Sequence, residues 1–152
     1  MDHVPLTLAF LVGVFLALCL DPILRCLRPN CTLRGEMLPA EFDSAIKMLR
    51  STDSMTYENG YQWLRCPNLT RYVHQIVKLL QSEADPQMRA KFVEIVGNAD
   101  RAEYIPILVE HLSHDCSDVR FWAYSGLLLS EHKEANTHAA HHHQTHPDED
   151  FY

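Results

Sequence analysis

Between residues 69 and 131 the sequence repeats one unit, a pair of amphipathic helices joined by a short polar turn. Within each helix the apolar residues recur three and four positions apart, which places them on one face. Aligning Met88-Arg89 with Val119-Arg120 gives a period of 31 residues, and aligning Tyr72-Val73 with Tyr104-Ile105 gives 32. Periods of this length are typical of stacked helix pairs. The spacing therefore predicts an all-α fold, a short α-α superhelix.

The boundaries of these helices follow from capping residues. Asn68 and Asp85 are favoured N-cap residues, and Pro86 suits the first turn of the helix that follows Asp85. The apolar stripe of the last helix comprises Val119, Trp122, Ala123, Leu127 and Leu128. The predicted helices span residues 69–82, 86–98, 100–113 and 118–131.

The second unit carries a recognisable pattern. Its segment Tyr104-Ile105-Pro106-Ile107-Leu108, followed by Leu112, Asp115, Asp118-Val119-Arg120 and Ala123, resembles a HEAT repeat. That family has a proline in the first helix, an aspartate in the turn and a Val-Arg pair opening the second helix. The earlier unit departs from the pattern, with His74 in place of the proline and Met88-Arg89 in place of Val-Arg. The resemblance implies a fold and says little about function.

Four residues of the repeats are predicted to be structural. We expect Asp85 and Asp115 to cap the second helix of each pair and to form ion pairs with Arg89 and Arg120. Because two helix pairs are fewer than the roughly three units that such stacks need, residues 40–66 are expected to supply another layer.

Residues 35–67 are predicted to contain one helix followed by an irregular stretch. Phe42, Ala45, Ile46 and Leu49 share one face of a helix over residues 40–50. Residues 51–66 show no clear period and carry three large aromatic residues, Tyr57, Tyr61 and Trp63. This stretch is either a recognition loop, since Tyr and Trp are favoured binding anchors, or a cap over the open end of the stack.

Residues 1–34 form the N-terminal segment, which contains an uncharged run from Val4 to Leu20. At 1.5 Å per residue a helix of this length nearly spans a bilayer. Arg25, Arg28 and Arg34 follow the run, so the positive-inside rule favours a transmembrane anchor through residues 4–20 with the remainder of the chain cytoplasmic. A cleaved signal peptide and a buried apolar helix are the alternatives.

Composition restricts the functional classes. The chain has 13 Lys and Arg against 20 Asp and Glu, a formal net charge of -7, which argues against a nucleic-acid partner. None of its five cysteines forms a C-x-x-C pair, and no nucleotide-binding loop or nucleophile motif is present. We therefore expect neither an enzyme nor a cofactor.

Residues 132–152 are predicted to form a disordered, acidic, His-rich tail. Dense imidazoles bind divalent metals weakly, and such tracts are interpreted as metal-binding by composition alone. The candidate metal ligands are His138, His141, His142, His143 and His146.

The sequence as a whole favours a membrane-anchored interaction module. Stacked helix pairs leave a groove lined by their second helices, where a protein or peptide partner can lie. The exposed members of those helices are the candidate contacts, namely Arg89, Lys91, Glu94, Arg120, Phe121 and Tyr124. The alternatives are a secreted or periplasmic binding or inhibitor domain of the immunity type, and a metal-handling protein that uses the tail.

Overall fold

The computed structural model describes residues 37–65, 72–149 and 151. These residues are helical, and none of them lies in a strand, so the predicted all-α class is confirmed. A 3-10 helix, Ala102–Tyr104, directly precedes the α-helix that begins at Ile105. Seven α-helices lie within the described residues: α1 (Pro39–Leu49), α2 (Ser54–Leu64), α3 (Val73–Ser82), α4 (Pro86–Asn98), α5 (Ile105–His111), α6 (Ser117–Leu128) and α7 (Lys133–Thr145).

Two predictions lie outside the described residues. They are the transmembrane segment over residues 4–20 and the N-cap at Asn68. Within the part of the chain that the structure describes, every helix is too short or too polar to cross a membrane.

The core lies between helices that pair along the chain. α1 packs on α2, α3 on α4, α5 on α6 and α6 on α7, and the most extensive interface joins α4 to α6. Most residues of the predicted apolar stripes are buried, whereas Ile46, Val77, Val109 and Trp122 are partly buried and Leu128, near the end of α6, is 40% exposed. The largest fully buried side chains are Phe92, Leu49, Leu64, Ile76, Leu80, Leu127, Val73, Val93, Val96 and Val119.

The two turns that precede α4 and α6 are only partly as predicted. Asp85 caps α4 by accepting a bond from the Gln87 N–H at 3.0 Å. The N-cap of α6 is Cys116, so the predicted cap at Asp115 is wrong. The predicted Asp–Arg ion pairs are also not formed, because each arginine donates to backbone carbonyls of its turn instead.

The hydrogen bonds of these two arginines follow the same pattern in both helix pairs. Arg89 donates to the carbonyl of Glu83, six residues earlier, and Arg120 donates to the carbonyl of His114, also six residues earlier, at 2.8 Å. A guanidinium satisfies carbonyls that would otherwise lack a partner at the end of the preceding helix. Both arginines therefore fasten the turn of their own helix pair.

Pro106 divides the predicted helix over residues 100–113. Proline has no N–H and its ring clashes with the preceding turn, so it is tolerated only near the start of an α-helix. The α-helix accordingly begins at Ile105, and the preceding residues form the 3-10 turn.

The prediction of an irregular stretch over residues 51–66 is wrong. Ser54–Leu64 is a helix whose N-cap, Asp53, accepts a bond from the Thr56 N–H at 2.8 Å. The Asn59-Gly60 pair, which suggested a break, serves the packing of α2 on α1. A methyl group on Gly60 would lie 2.6 Å from the backbone nitrogen of Leu49, so only glycine permits this approach.

The prediction of a disordered tail is wrong for residues 133–145, which form α7. Ala135, Ala139 and His142 are buried at helical spacing. The Asn136 amide donates to the carbonyls of Leu127 and Ser130, both at 3.0 Å, and so joins α7 to the end of α6. Alanine and histidine were too weakly apolar to reveal this face in the sequence.

Candidate binding surface

A buried carboxylate connects α2 to α4. Glu94 on α4 is 4% exposed and accepts a hydrogen bond from the Tyr61 hydroxyl on α2. Burial raises the pKa of Tyr61, and the bond to Glu94 raises it further, so this hydroxyl remains a donor at neutral pH. Lys91 Nζ lies 3.3 Å from the same carboxylate and supplies the balancing charge.

Lys91 in turn connects α4 to both neighbouring helices. Its Nζ lies 4.9 Å from the centre of the Tyr61 ring on α2 and 5.3 Å from that of Trp122 on α6. A cation at these distances is attracted to the negative faces of both rings. The side chain of Lys91 is 27% exposed, so its ammonium is held between two rings while still reaching the surface.

Further aromatic contacts extend this arrangement at both ends. Tyr57 stacks on Tyr61 with ring centres 6.4 Å apart, Trp122 packs edge-on against Phe121 at 4.9 Å, and Phe121 lies 6.1 Å from Phe151. We call this set the aromatic row; its members are Tyr57, Tyr61, Lys91, Trp122, Phe121 and Phe151.

Two cavities lie beside the aromatic row. One of about 310 Å³ lies towards α2 and is lined by Tyr57, Asp85 and Lys91 among others. Another of about 150 Å³ lies towards α6, where Glu94, Trp122 and Leu129 line it. Leu129 is 78% exposed. The aromatic row thus has recesses beside it that are large enough for side chains of another molecule.

Residues after α7 fold back onto α6 and α7. Glu149 accepts a bond from Arg120 Nε through one carboxylate oxygen, while the other lies 2.9 Å from His142 Nε2. Burial alone would raise the pKa of Glu149, but the bonds to Arg120 and His142 lower it below its usual value. Two residues further on, Phe151 stacks on Tyr124 with ring centres 5.1 Å apart.

A polar cleft of about 760 Å³ lies beside this contact, between the α5–α6 turn and residues 145–149. Its lining includes Arg120, Glu149, His114 and Asp148. Burial lowers the pKa of His114, and the nearby Arg89 lowers it further, so this imidazole is neutral at pH 7. Its Nδ1 accepts the Cys116 N–H at 3.0 Å.

The six predicted partner contacts have different environments. Lys91 and Phe121 are half-buried members of the aromatic row, while Arg89 and Arg120 are engaged in their turns. Glu94 and Tyr124 are only 4% and 6% exposed, so the expectation that they are exposed is wrong, and their role as partner contacts stays a prediction.

The structure brings two of the predicted metal ligands together, His142 and His146, whose ring centres lie 4.4 Å apart. His141, His142 and His143 are consecutive on α7 and point in different directions, because each residue advances about 100° around a helix. His142 is buried and bonded to Glu149. No three His, Cys, Asp or Glu side chains of the described residues are grouped to hold a metal ion.

Some members of the surface were not recognised in the sequence. Trp122 was assigned to the apolar stripe of α6, and Glu149 and Phe151 lay in a segment expected to be disordered. The one available signal was the aromatic pair Phe151-Tyr152 directly after the acidic run Asp148-Glu149-Asp150. Comparisons of the chain with models of protein families, with curated proteins and with solved structures give no match.

Proposed function

We propose that this chain is a membrane-anchored HEAT-like helical repeat module that binds a protein or peptide partner and has no catalytic role. The observation that carries the proposal is the aromatic row, a continuous line of rings around one lysine across α2, α4 and α6. Aromatic residues with recesses beside them are the commonest anchors of protein interfaces.

Long-range polar contacts support the repeat arrangement. Arg50 pairs with Glu83 at 2.6 Å, 33 residues away, and Tyr61 bonds to Glu94 at the same separation. Further along the chain, the Gln87 amide donates to Asp118 at 3.2 Å over a separation of 31 residues. Contacts that recur at about one repeat length are expected when each helix pair stacks on the next.

The anchoring part of the proposal rests on the sequence of residues 4–20. This uncharged run, followed by three arginines, favours a single membrane-spanning segment with the helical repeats in the cytoplasm. A module held at a membrane meets its partner at a raised local concentration, so moderate affinity at the aromatic row suffices.

Site-specific photo-crosslinking of the full chain in its native cells tests the proposal. A photoreactive phenylalanine analogue at Phe121 is expected to give a discrete crosslinked product in the membrane fraction. The same analogue at Gln81, which is exposed on α3 away from the aromatic row, is the matched control.

Trp122→Ala is expected to reduce the Phe121 product, because it removes the neighbouring ring and opens the row. Equal crosslinking from positions 121 and 81 would contradict partner binding at the aromatic row. A chain that leaves the membrane on alkaline carbonate extraction would contradict the anchor alone.

A further inference from the structure

We infer that the surface formed by Arg120, Phe121, Tyr124 and His142 recognises a peptide segment in which an acidic residue precedes an aromatic residue by two positions, and that the chain's own Glu149 and Phe151 occupy it as a tethered competitor. The term cis segment refers below to residues 147–149 and 151. The inference rests on the proposed function only in supplying a partner with such a segment.

The half of the surface that binds the carboxylate is preorganised. Arg120 Nη1 donates to the carbonyls of His114 at 2.8 Å and Asp115 at 2.9 Å, so the α5–α6 turn holds the guanidinium in position. Its Nε remains available and donates to Glu149. His142 Nε2, from the neighbouring helix α7, approaches the second carboxylate oxygen of Glu149 at 2.9 Å. A group that is already positioned loses little entropy when it binds a carboxylate.

The half of the surface that binds the aromatic side chain is formed by rings on α6 and α7. Phe151 lies 5.1 Å from the Tyr124 ring, 6.0 Å from that of His142 and 6.1 Å from that of Phe121. Tyr124 and His142 are 6% exposed under this cover. Removing Phe151 would uncover apolar ring surface, so another aromatic side chain would be favoured there.

The cis segment is attached in a way that a segment of another chain can reproduce. Its backbone bond, from the Glu149 N–H to the His146 carbonyl at 3.2 Å, stays within the segment's own turn. Its contacts with α6 and α7 are made by the side chains of Glu149 and Phe151. The 760 Å³ cleft alongside is lined on one side by Pro147, Asp148 and Glu149, so displacement of the cis segment opens it to the remainder of a longer ligand.

Because the cis segment is covalently attached to the chain, a partner needs additional contacts to displace it. A segment joined by a short connection has an effective concentration in the millimolar range. A partner that carries only the same two side chains competes poorly with it. Phe121 belongs both to this surface and to the aromatic row, so a partner that extends along the row gains the contacts needed to displace the cis segment.

Peptide binding in trans to the full chain tests the inference. The probe is a fluorescently labelled peptide with the sequence of residues 146–152, His-Pro-Asp-Glu-Asp-Phe-Tyr. The Glu149→Ala/Phe151→Ala double variant is expected to bind it saturably, at least about tenfold more tightly than the unaltered chain does, because the competitor is removed. Fluorescence anisotropy measures both affinities.

Three controls assign the binding to the surface. A peptide in which alanine replaces the Glu and the Phe is expected not to bind. Arg120→Ala in the double-variant background is expected to abolish binding, whereas Arg101→Ala, which removes an arginine paired with Glu103 instead, leaves it unchanged. If the double variant does not fold, a chain ending at His146 replaces it in the same titration.

Equal affinity of the double variant and the unaltered chain would overturn the inference, as would equal binding of the alanine peptide. The titration requires no natural partner. A failure here therefore leaves the crosslinking result at Phe121 intact, and an absence of crosslinks leaves the peptide titration intact.

Discussion

Gly97 on α4 and Gly126 on α6 face each other where these two helices cross. A methyl group on Gly126 would lie 2.9 Å from the Cα atom of Gly97, and one on Gly97 would lie 3.0 Å from the Cα atom of Gly126. The atoms that would be struck belong to backbone, which cannot rotate away. The two glycines therefore set the distance between α4 and α6, and with it the distance between Lys91 and Trp122.

Gly126→Ala is expected to destabilise the fold. Overpacking costs about 1–3 kcal/mol, which exceeds the roughly 1 kcal/mol that alanine contributes over glycine within a helix. Urea unfolding followed by circular dichroism measures the net change. Ser125→Ala, which alters the preceding residue of α6 without adding an atom at the crossing, is the control. A more stable Gly126→Ala chain would show that the helices separate without cost.

Tyr61→Phe is expected to lower the free energy of unfolding by about 1.5–3 kcal/mol, because the buried Glu94 carboxylate loses a donor. Tyr57→Phe is the matched control: it lies one turn earlier on α2, half-buried and stacked on Tyr61. Denaturant titration of both variants makes the comparison. Equal stability of the two would mean that Glu94 does not depend on the Tyr61 hydroxyl.

Lys91→Met is expected to change the emission of Trp122 as well as stability. The substitution keeps an apolar stem but removes the ammonium from the faces of Tyr61 and Trp122, an attraction of about 0.5–2 kcal/mol at each ring. Fluorescence is recorded in a Trp63→Phe background, so that Trp122 is the reporter. Lys78→Met, an exposed lysine on α3, should leave the spectrum unaltered.

Asp100 joins the end of α4 to the α6–α7 connection from an unusual backbone conformation, with a φ of 44°. Its carboxylate accepts bonds from the Ser130 hydroxyl at 2.6 Å and the Glu131 N–H at 3.1 Å. Asparagine tolerates the left-handed conformation, whereas alanine does not. Asp100→Ala is therefore expected to cost more stability than Asp100→Asn, by about 1 kcal/mol or more. Thermal unfolding of both variants decides the order.

The Asp100 carboxylate should also make the stability of the fold depend on pH. The Ser130 hydroxyl lowers the pKa of Asp100 against the effect of burial, and the Glu131 N–H and His132 lower it further. The unfolded chain therefore binds this proton at higher pH than the folded chain does. The stabilisation is present above the usual value of 3.8 and is lost as pH falls through the lower folded pKa. Asp100→Asn should flatten the stability profile over this window, as measured by denaturant titration.

Acid should also release the cis segment. Burial alone would raise the pKa of Glu149, but Arg120 and His142 together hold it below its usual value in the folded chain. Its contact is therefore favourable above the usual value of 4.5 and is lost as pH falls through the folded pKa. His114, Asp115, His146 and Asp148 also line the adjoining cleft.

Release is measured as the quenching of a fluorophore attached at position 152 by a quencher on α6. Quenching is expected to fall in acid for the unaltered chain and to be already low at neutral pH for Glu149→Gln. An unchanged signal through the acid range would show that Glu149 does not hold the segment.

The helical class, the apolar stripes and the Asp85 cap were predictable from the sequence, because periodicity and capping act between residues close in the chain. α2 and α7 were not. Gly60 marks a close approach to α1, which only the packed structure reveals, and α7 buries alanines and a histidine that hardly register as an apolar face.

The aromatic row was decided by tertiary structure alone. The amino-acid sequence places Tyr61, Lys91 and Trp122 on separate helices, and no local pattern indicates that their side chains meet. They meet because Gly97 and Gly126 let α4 and α6 approach closely and because Glu94 draws Tyr61 inward. Likewise, Glu149 and Phe151 gain their role only once Arg120 and His142 lie side by side. Local chemistry determined the helices, and distances between helices determined the surface.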